Sequence, residues 1–314
     1  MKKQQIAIIS GKGGVGKTSI TASLASIASK DNNICLIILD CDVDAPNLAL
    51  LIPSKNKEDI KIKSTYTTLK AEFLLELCVH CKKCIDECYC EFKALRWNEQ
   101  IKIPIIDFLA CEGCGACKVL CPEHAFKILP VKSGEIITYR TRSNDLFVYG
   151  KTRLGSTTSG KLVSEIKDFA KKLDDSGVSN LVIIDGPPGI GCPVIATVTG
   201  LDYVILVTEP TPSGFHDLIR AIEVVQQFKI PFGIVVNKYD LKSPFQDKFN
   251  AFIKNTGYDL IGLIPYDLSI PKAMSFAEAV VDHDHESRAS IAIINIYNNL
   301  KKILCPLKNI QGEK

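Results

Sequence analysis

Ser10-Gly11-Lys12-Gly13-Gly14-Val15-Gly16-Lys17-Thr18 follows a short apolar run, Ile6 to Ile9, and opens a segment rich in Ala and Ser. The run reads as a strand and the segment as a helix, which is the context a phosphate-binding loop requires. Gly11, Gly13, Gly14 and Gly16 let the backbone turn so that several N–H groups point inward as a nest for an anion. The helix adds the positive end of its dipole. Lys17 can reach the β- and γ-phosphates, and the Thr18 hydroxyl can bind Mg²⁺. Val15 and Ser19 complete the set of residues expected around the nucleotide.

Lys12 gives the loop a second lysine. In this the stretch resembles the deviant Walker A motif of the MinD/ParA family of ATPases, which includes the nitrogenase iron protein and the Mrp cluster carriers. The resemblance implies ATP as the nucleotide and Mg²⁺-dependent hydrolysis. It implies an α/β P-loop NTPase fold with a mostly parallel sheet and helices on both faces. It also implies a homodimer in which Lys12 reaches the partner's nucleotide; otherwise Lys12 is a solvated loop lysine.

The chain of 314 residues has room for one large domain and a small one. Hydrophobic residues make up 46% and charged residues 23%, an ordinary globular composition, and a formal charge of +3 does not argue for nucleic acid. No apolar run approaches the roughly 18 residues of a membrane span. Met1-Lys2-Lys3 runs straight into the first strand, so a cytoplasmic protein without a stable membrane anchor is expected.

Ile34 to Leu39 is a continuous apolar run, the signature of a buried parallel strand, and it ends at Asp40-Cys41-Asp42-Val43-Asp44. Acidic residues at the carboxyl end of such a strand sit where ligands bind in open α/β sheets. By the resemblance this is switch I, where Asp42 orients or activates the attacking water and Asp40 supports the Mg²⁺ shell. Asp44 and Asn47 read as helix caps. Leu181 to Ile184 is another buried strand, ending in Asp185-Gly186-Pro187-Pro188-Gly189. This matches the family's Walker B and switch II position, with Asp185 holding a Mg²⁺-bound water and the Gly189 N–H reading the γ-phosphate. Asn237-Lys238-Tyr239-Asp240 closes a late strand and suggests a purine site, where Asn237 contacts adenine by the same resemblance.

Thirteen cysteines are many for a reducing compartment, and nine lie between Cys78 and Cys121. Such a cluster reads as metal binding rather than disulfides. Cys78-x-x-Cys81-x-x-Cys84-x-x-x-Cys88 is followed by Cys111-x-x-Cys114-x-x-Cys117-x-x-x-Cys121-Pro122. Each is the bacterial ferredoxin run, whose fourth thiolate crosses to the other cluster. Cys78, Cys81, Cys84 and Cys121 are thus expected to hold one [4Fe–4S] centre, and Cys111, Cys114, Cys117 and Cys88 a second. Zinc does not explain this spacing twice. Tyr89 replaces the proline of the first run, and Cys90 adds a thiol that reads as a substitute for Cys88 or as a bystander. Six Lys/Arg balance six Asp/Glu between Cys78 and Cys121, so this is no basic nucleic-acid patch.

Cys35, Cys41, Cys192 and Cys305 are scattered and default to packing roles. Cys192 lies near switch II, where the nitrogenase iron protein places a ligand of its bridging cluster; one thiol per subunit supplies only half of such a site. Residues 136–139 and 146–149 flank a turn and read as a hairpin, and the βα rhythm resumes near Ser156 and Thr157. The expected organisation is an ATPase domain from residues 1–59 and 133–314, with a ferredoxin-like α+β domain inserted as residues 60–132.

The whole chain resembles MinD-superfamily ATPases that carry an inserted ferredoxin domain. This implies an ATP-dependent iron–sulfur protein that couples nucleotide state to electron transfer or to docking of a redox or cluster-accepting partner. An iron–sulfur cluster carrier is the alternative, weakened by the absence of the C-terminal C-x-x-C of Mrp-type carriers. A positioning ATPase acting on membrane or DNA is a third, disfavoured by the near-neutral charge and the lack of a basic amphipathic tail.

Overall fold

The structure, a computed structural model, describes residues 3–304 apart from Tyr89, Thr157 and residues 175–178 and 242–244. Tyr89, Thr157 and Cys305 therefore lie outside the described residues. Strand β1 (Gln4–Ser10) leads through the glycine loop into helix α1 (Lys17–Ser29), and β2 (Leu36–Asp40) into the short α2 (Leu48–Leu51). The chain continues through β3 (Lys61–Thr65), β4 (Thr68–Phe73), α3 (Lys83–Asp86) and β5 (Leu95–Asn98). β6 (Ile103–Ile106), α4 (Ala116–Leu120) and β7 (Phe126–Val131) precede a hairpin, β8 (Gly134–Arg140) and β9 (Leu146–Thr152). Then α5 (Ser159–Leu173), β10 (Leu181–Pro188), α6 (Cys192–Val198), β11 (Tyr203–Thr208), α7 (Pro212–Gln227) and β12 (Phe232–Asn237) alternate. α8 (Gln246–Thr256), β13 (Leu260–Ile264), α9 (Ser269–Ser275), α10 (Val280–His283) and α11 (Arg288–Leu304) end the described chain.

Nine strands form one sheet in the order β13-β12-β11-β1-β10-β2-β9-β8-β3. It is parallel from β13 to β9 and antiparallel at β8 and β3. Helices cover both faces, so the central strands are apolar throughout, as a two-sided sheet demands. Along β1, Ile6 and Ile8 join a core with Ile20 and Leu24 of α1 and Ile293 of α11. Ala7 and Ile9 face a second core with Leu162 and Ile166 of α5, Val194 of α6 and Leu218 of α7. β1 is thus central and two-sided, and its carboxyl end, where the glycine loop begins, opens at the sheet's edge between β10 and β11.

The expected boundary at residue 60 falls one strand early. β3 pairs with β8 in register from Lys61↔Thr138 to Thr65↔Gly134, so it belongs to the large sheet. Exposed Lys61, Ile62 and Lys63 mark it as an edge strand whose lysines discourage pairing with another chain. The β8–β9 hairpin likewise extends the large sheet, since β9 runs parallel to β2. Residues 68–131 form a separate small α+β unit of two antiparallel pairs, β4 with β7 and β5 with β6, and the short helices α3 and α4. Its apolar core is sparse: Cys84, Cys121, Ala125 and Phe126 are buried, with a few half-buried neighbours such as Phe73 and Leu95.

Candidate functional site

The glycine loop curls where β1 meets α1. Gly14 and Gly16 have φ of 82° and 89°, the left-handed region that favours glycine. At Gly16 a Cβ would also lie 2.4 Å from the Asn237 amide nitrogen. That amide, buried, donates to the Val15 carbonyl at 2.8 Å, so Asn237 braces the loop from below. Gly11 sits against the Asp217 backbone of α7, where no side chain would fit. The Gly189 N–H donates to the Ser10 carbonyl at 2.9 Å, joining the loop after β10 to the glycine loop. Above them a cleft of about 780 Å³ is lined by Gly13, Lys17, Thr18, Ser19, Asp42 and Asn237, and continues to Tyr266 and Met274. Ligand sites of the size of a nucleotide fall in this range.

Acidic groups converge under the loop. Asp185, fully buried, accepts from Lys17 Nζ at 2.9 Å, from Thr18 Oγ1 at 2.8 Å and from Thr21 Oγ1 at 3.0 Å. Lys17 Nζ also lies 4.0 Å from Asp42. Asp40 is fully buried, and its two oxygens accept the N–H groups of Asp42 and Leu48 at 3.0 and 3.1 Å. Burial first, then the charge of Asp185, holds the Asp40 carboxyl well above the usual carboxylate range. Burial raises Asp42 in the same direction, with Lys17 opposing. One buried cation and two fully buried carboxylates thus meet where a second cation would relieve the repulsion, a donor set of hard oxygens that fits Mg²⁺. Lys12 lies apart on the exposed side of the loop, 3.2 Å from the Ser213 hydroxyl.

Thr21 was not singled out from the sequence, although it stands one helical turn beyond Lys17 and so shares its face of α1. Asn47 makes no side-chain cap at α2, and Asp44 points elsewhere than the expected cap. It accepts from Thr152 Oγ1 at 2.8 Å and from Ser159 Oγ at 3.0 Å, at the start of α5. The neighbouring Gly160 lies so close to Cys192 that an added Cβ would stand 3.1 Å from its carbonyl oxygen. The loop after β2 and the start of α6 therefore both bear on the start of α5.

From there a hydroxyl cluster leads to the small unit. Thr158 Oγ1 is 2.7 Å from Thr67 Oγ1 and 2.9 Å from Thr68 Oγ1, and Ser156 Oγ is 2.9 Å from Thr68 Oγ1. The buried Ser133 hydroxyl accepts from the Thr67 N–H at 2.9 Å and from its hydroxyl at 2.8 Å. Thr67 and Thr68 enter β4 and Ser133 follows β7, so both chain crossings into the small unit run through this cluster.

Within that unit the cysteines fall into two groups around two small voids. Cys78, Cys81, Cys84 and Cys121 line one of about 20 Å³; Cys88, Cys90, Cys111, Cys114 and Cys117 line another of about 30 Å³. None of the described cysteines forms a disulfide. Among the described residues no three His, Cys, Asp or Glu side chains converge on a point fit for a single metal ion. Burial, then the neighbouring thiols Cys121, Cys78 and Cys81, pushes Cys84 up to about 11. Burial, then Cys111 and Cys88, pushes Cys117 up to about 11. Backbone N–H groups already aim at sulfur: Ala125 at Cys121 from 3.3 Å, and Ala71 and Gly113 at Cys111 from 3.4 Å.

Lys70 was also missed by sequence reasoning, since a lone lysine in a strand reads as solvated. It is 2% exposed, its ammonium donates to the Cys111 carbonyl and lies 5.4 Å from the Phe108 ring centroid. No carboxylate pairs with it among the described residues. A buried cation without an anion is costly, and its carbonyl partner belongs to a thiol residue of the larger void.

With this geometry in hand, known proteins give a consistent frame. The CobQ/CobB/MinD/ParA nucleotide binding domain matches residues 6–281. The uncharacterized protein MJ0578 of Methanocaldococcus jannaschii is 37% identical over 301 residues, covering 96% of this chain and 97% of its own. An iron-sulfur cluster carrier protein of Pyrococcus horikoshii is 23% identical, covering 99% of this chain and 89% of its own. Among solved structures, the septum site-determining protein MinD of the same organism, complexed with Mg-ADP, superposes with a TM-score of 0.58 at 19% identity, covering 98% of this chain and all of its own. No described helix is long and apolar enough to cross a membrane. The chain belongs to the CobQ/CobB/MinD/ParA nucleotide-binding family of ATPases, with proteins named as iron–sulfur cluster carriers and as MinD among its more distant relatives.

Proposed function

We propose that this protein is an ATP-hydrolysing iron–sulfur protein in which nucleotide state is coupled to two [4Fe–4S] clusters held by the small unit. The observation that carries the reading is the division of the thiols around two voids into the sets Cys78/Cys81/Cys84/Cys121 and Cys111/Cys114/Cys117 with Cys88 or Cys90. Donor chemistry and surroundings fit: thiolates suit iron–sulfur clusters, N–H groups aimed at sulfur tune them, and Lys70 supplies a buried positive charge beside one of them. A unit with so sparse a core and no disulfide also needs an inorganic staple. Bound clusters supply one-electron chemistry.

In this reading Lys17 and the loop N–H groups bind the phosphates, Thr18 and Asp185 hold Mg²⁺ with Asp40 behind them, and Asp42 positions the attacking water. Catalysis of this kind is mostly positioning and charge neutralisation. Asn237 keeps the loop in shape and faces the base end of the cleft. Lys12, exposed and hydrogen-bonded only to the hydroxyl of Ser213 among the described residues, is placed to serve a partner subunit, which supports an ATP-dependent homodimer. The hydroxyl cluster between Asp44, Ser159, Thr158 and Thr67 is the physical contact by which movement of the nucleotide loops reaches the cluster unit.

The test is a redox titration of anaerobically prepared protein with and without a non-hydrolysable ATP analogue. A potential or electron paramagnetic resonance (EPR) signal that shifts with nucleotide supports coupling, and clusters indifferent to nucleotide overturn it. The carrier reading, favoured by the relatives' names and by exposed Cys81 and Cys114, predicts instead ATP-stimulated loss of iron to an apo-acceptor.

A further inference from the structure

The small unit is built twice on one plan. Cys78, Cys81 and α3 in the first half correspond to Cys111, Cys114 and α4 in the second. Left-handed residues stand at matching places, His80 (φ 59°) with Gly113 (φ 64°) and Lys82 (φ 64°) with Gly115 (φ 84°). The halves also close alike. The Lys93 N–H donates to the Cys90 carbonyl at 2.8 Å, as the His124 N–H does to that of Cys121 at 3.1 Å. Lys93 and His124 share left-handed φ of 51° and 52°. Each precedes a buried alanine, Ala94 or Ala125, whose carbonyl accepts the N–H of Asp107 or Leu74 at 2.7 and 2.9 Å.

The match breaks at one place. Counted forward from the helices, Cys88 is the counterpart of Cys121. Counted back from the alanines, the counterpart is Cys90. Two extra residues in the first half let both registers hold, and both thiols line the same void with Cys111, Cys114 and Cys117. The other void has only its four cysteines.

We infer that the second site is a five-thiol site in which Cys88 and Cys90 are alternative fourth ligands to one iron. The inference rests on the cluster reading above. Exchange is redox-neutral: one iron–sulfur bond forms as the other breaks, and the proton of the incoming thiol passes to the departing thiolate. The first site, with no spare thiol, is fixed.

The full chain is reconstituted anaerobically as wild type, Cys88→Ser, Cys90→Ser, the double variant and Cys121→Ser, and read by iron content and EPR. Wild type and each single variant should hold about eight irons, and the double variant and Cys121→Ser about four. The signal of the cluster that remains in each variant reports that the unit is folded. In wild type, alkylation followed by peptide mapping should label Cys88 and Cys90 each in part. Either single variant falling to about four irons, or one of the two thiols fully labelled and the other fully protected, overturns the exchange. A double variant that keeps about eight irons overturns it as well. Wild type without cubane iron instead removes the underlying cluster reading.

Discussion

Asp185 holds the two side chains that the nucleotide needs. Lys17 Nζ and Thr18 Oγ1 both donate to its carboxylate, at 2.9 and 2.8 Å. For Lys17 to turn to a phosphate and Thr18 to a metal, both bonds must be released. Hydrogen bonds to a charged acceptor contribute about 1.5–3 kcal/mol each and neutral ones about 0.5–1.5. Asp185→Asn keeps the shape and removes the charge, so it lightens this restraint by about 1 kcal/mol per bond, or about 2 kcal/mol together. The variant should therefore bind ADP or ATP in EDTA roughly 30-fold more tightly than wild type. In Mg²⁺ the sign reverses, because the missing carboxylate no longer supports the metal, and hydrolysis should fall by at least about tenfold. Calorimetric titration in the two buffers, with phosphate release in the second, separates the effects. A folded Asp185→Asn protein that binds metal-free nucleotide no better than wild type would refute the reasoning.

Gly16→Ala places a side chain at φ 89° and 2.4 Å from the Asn237 amide. Left-handed strain and loss of the Asn237–Val15 bond cost about 2–3 kcal/mol together, read as a lowered melting temperature and weakened nucleotide binding. Lys70→Met removes the buried cation beside the Cys111 carbonyl. Each loss of about 1.4 kcal/mol of charge stabilisation lowers a one-electron potential by about 59 mV, so a potentiometric EPR titration should show the second cluster moved downward and the first unmoved. Asp40 binds its proton more tightly folded than unfolded, so its contribution to stability is full below the ordinary carboxylate range and is lost as pH rises above that range towards its folded value. Asp42 acts in the same direction, while Asp31, Asp174, Asp240 and Asp267, all held low, titrate only below that window. Thermal melts across this range should slope downward, and the slope should flatten in Asp185→Asn, which removes the charge that helps raise Asp40.

What was legible in the sequence follows from how local each feature is. The glycine loop, the acidic strand ends and the cysteine runs are short stretches with local spacing, so which of their residues would gather in the fold could be read directly. The contacts that join them are not local. Thr67, Thr68, Ser133, Ser156 and Thr158 are ordinary hydroxyl residues until folding brings both ends of the small unit and the start of α5 together. β3 was unreadable for a related reason: an edge strand carrying Lys61 and Lys63 has little apolar pattern, and only its pairing with β8 assigns it to the large sheet.

Cys90 shows how the two kinds of information combine. Its spacing alone left it a substitute for Cys88 or a bystander, because cysteine runs are read forward from the first ligand. Backbone geometry reads the same segment backward from Lys93 and Ala94, and in that direction Cys90 falls in register with Cys121. The same junction bears on coupling. β4 carries Thr67 and Thr68 at its entry and the Ala71 N–H that points at Cys111 Sγ from 3.4 Å, so the strand touching the nucleotide-side hydroxyl cluster also touches the second site. If nucleotide moves the start of α5, β4 meets the second void first, at Ala71, and the first void only at Phe73. The second cluster, rather than the first, should then carry the nucleotide-dependent change in EPR signal, and Thr67→Val with Thr68→Val should abolish that change while leaving ATP affinity within about twofold of wild type.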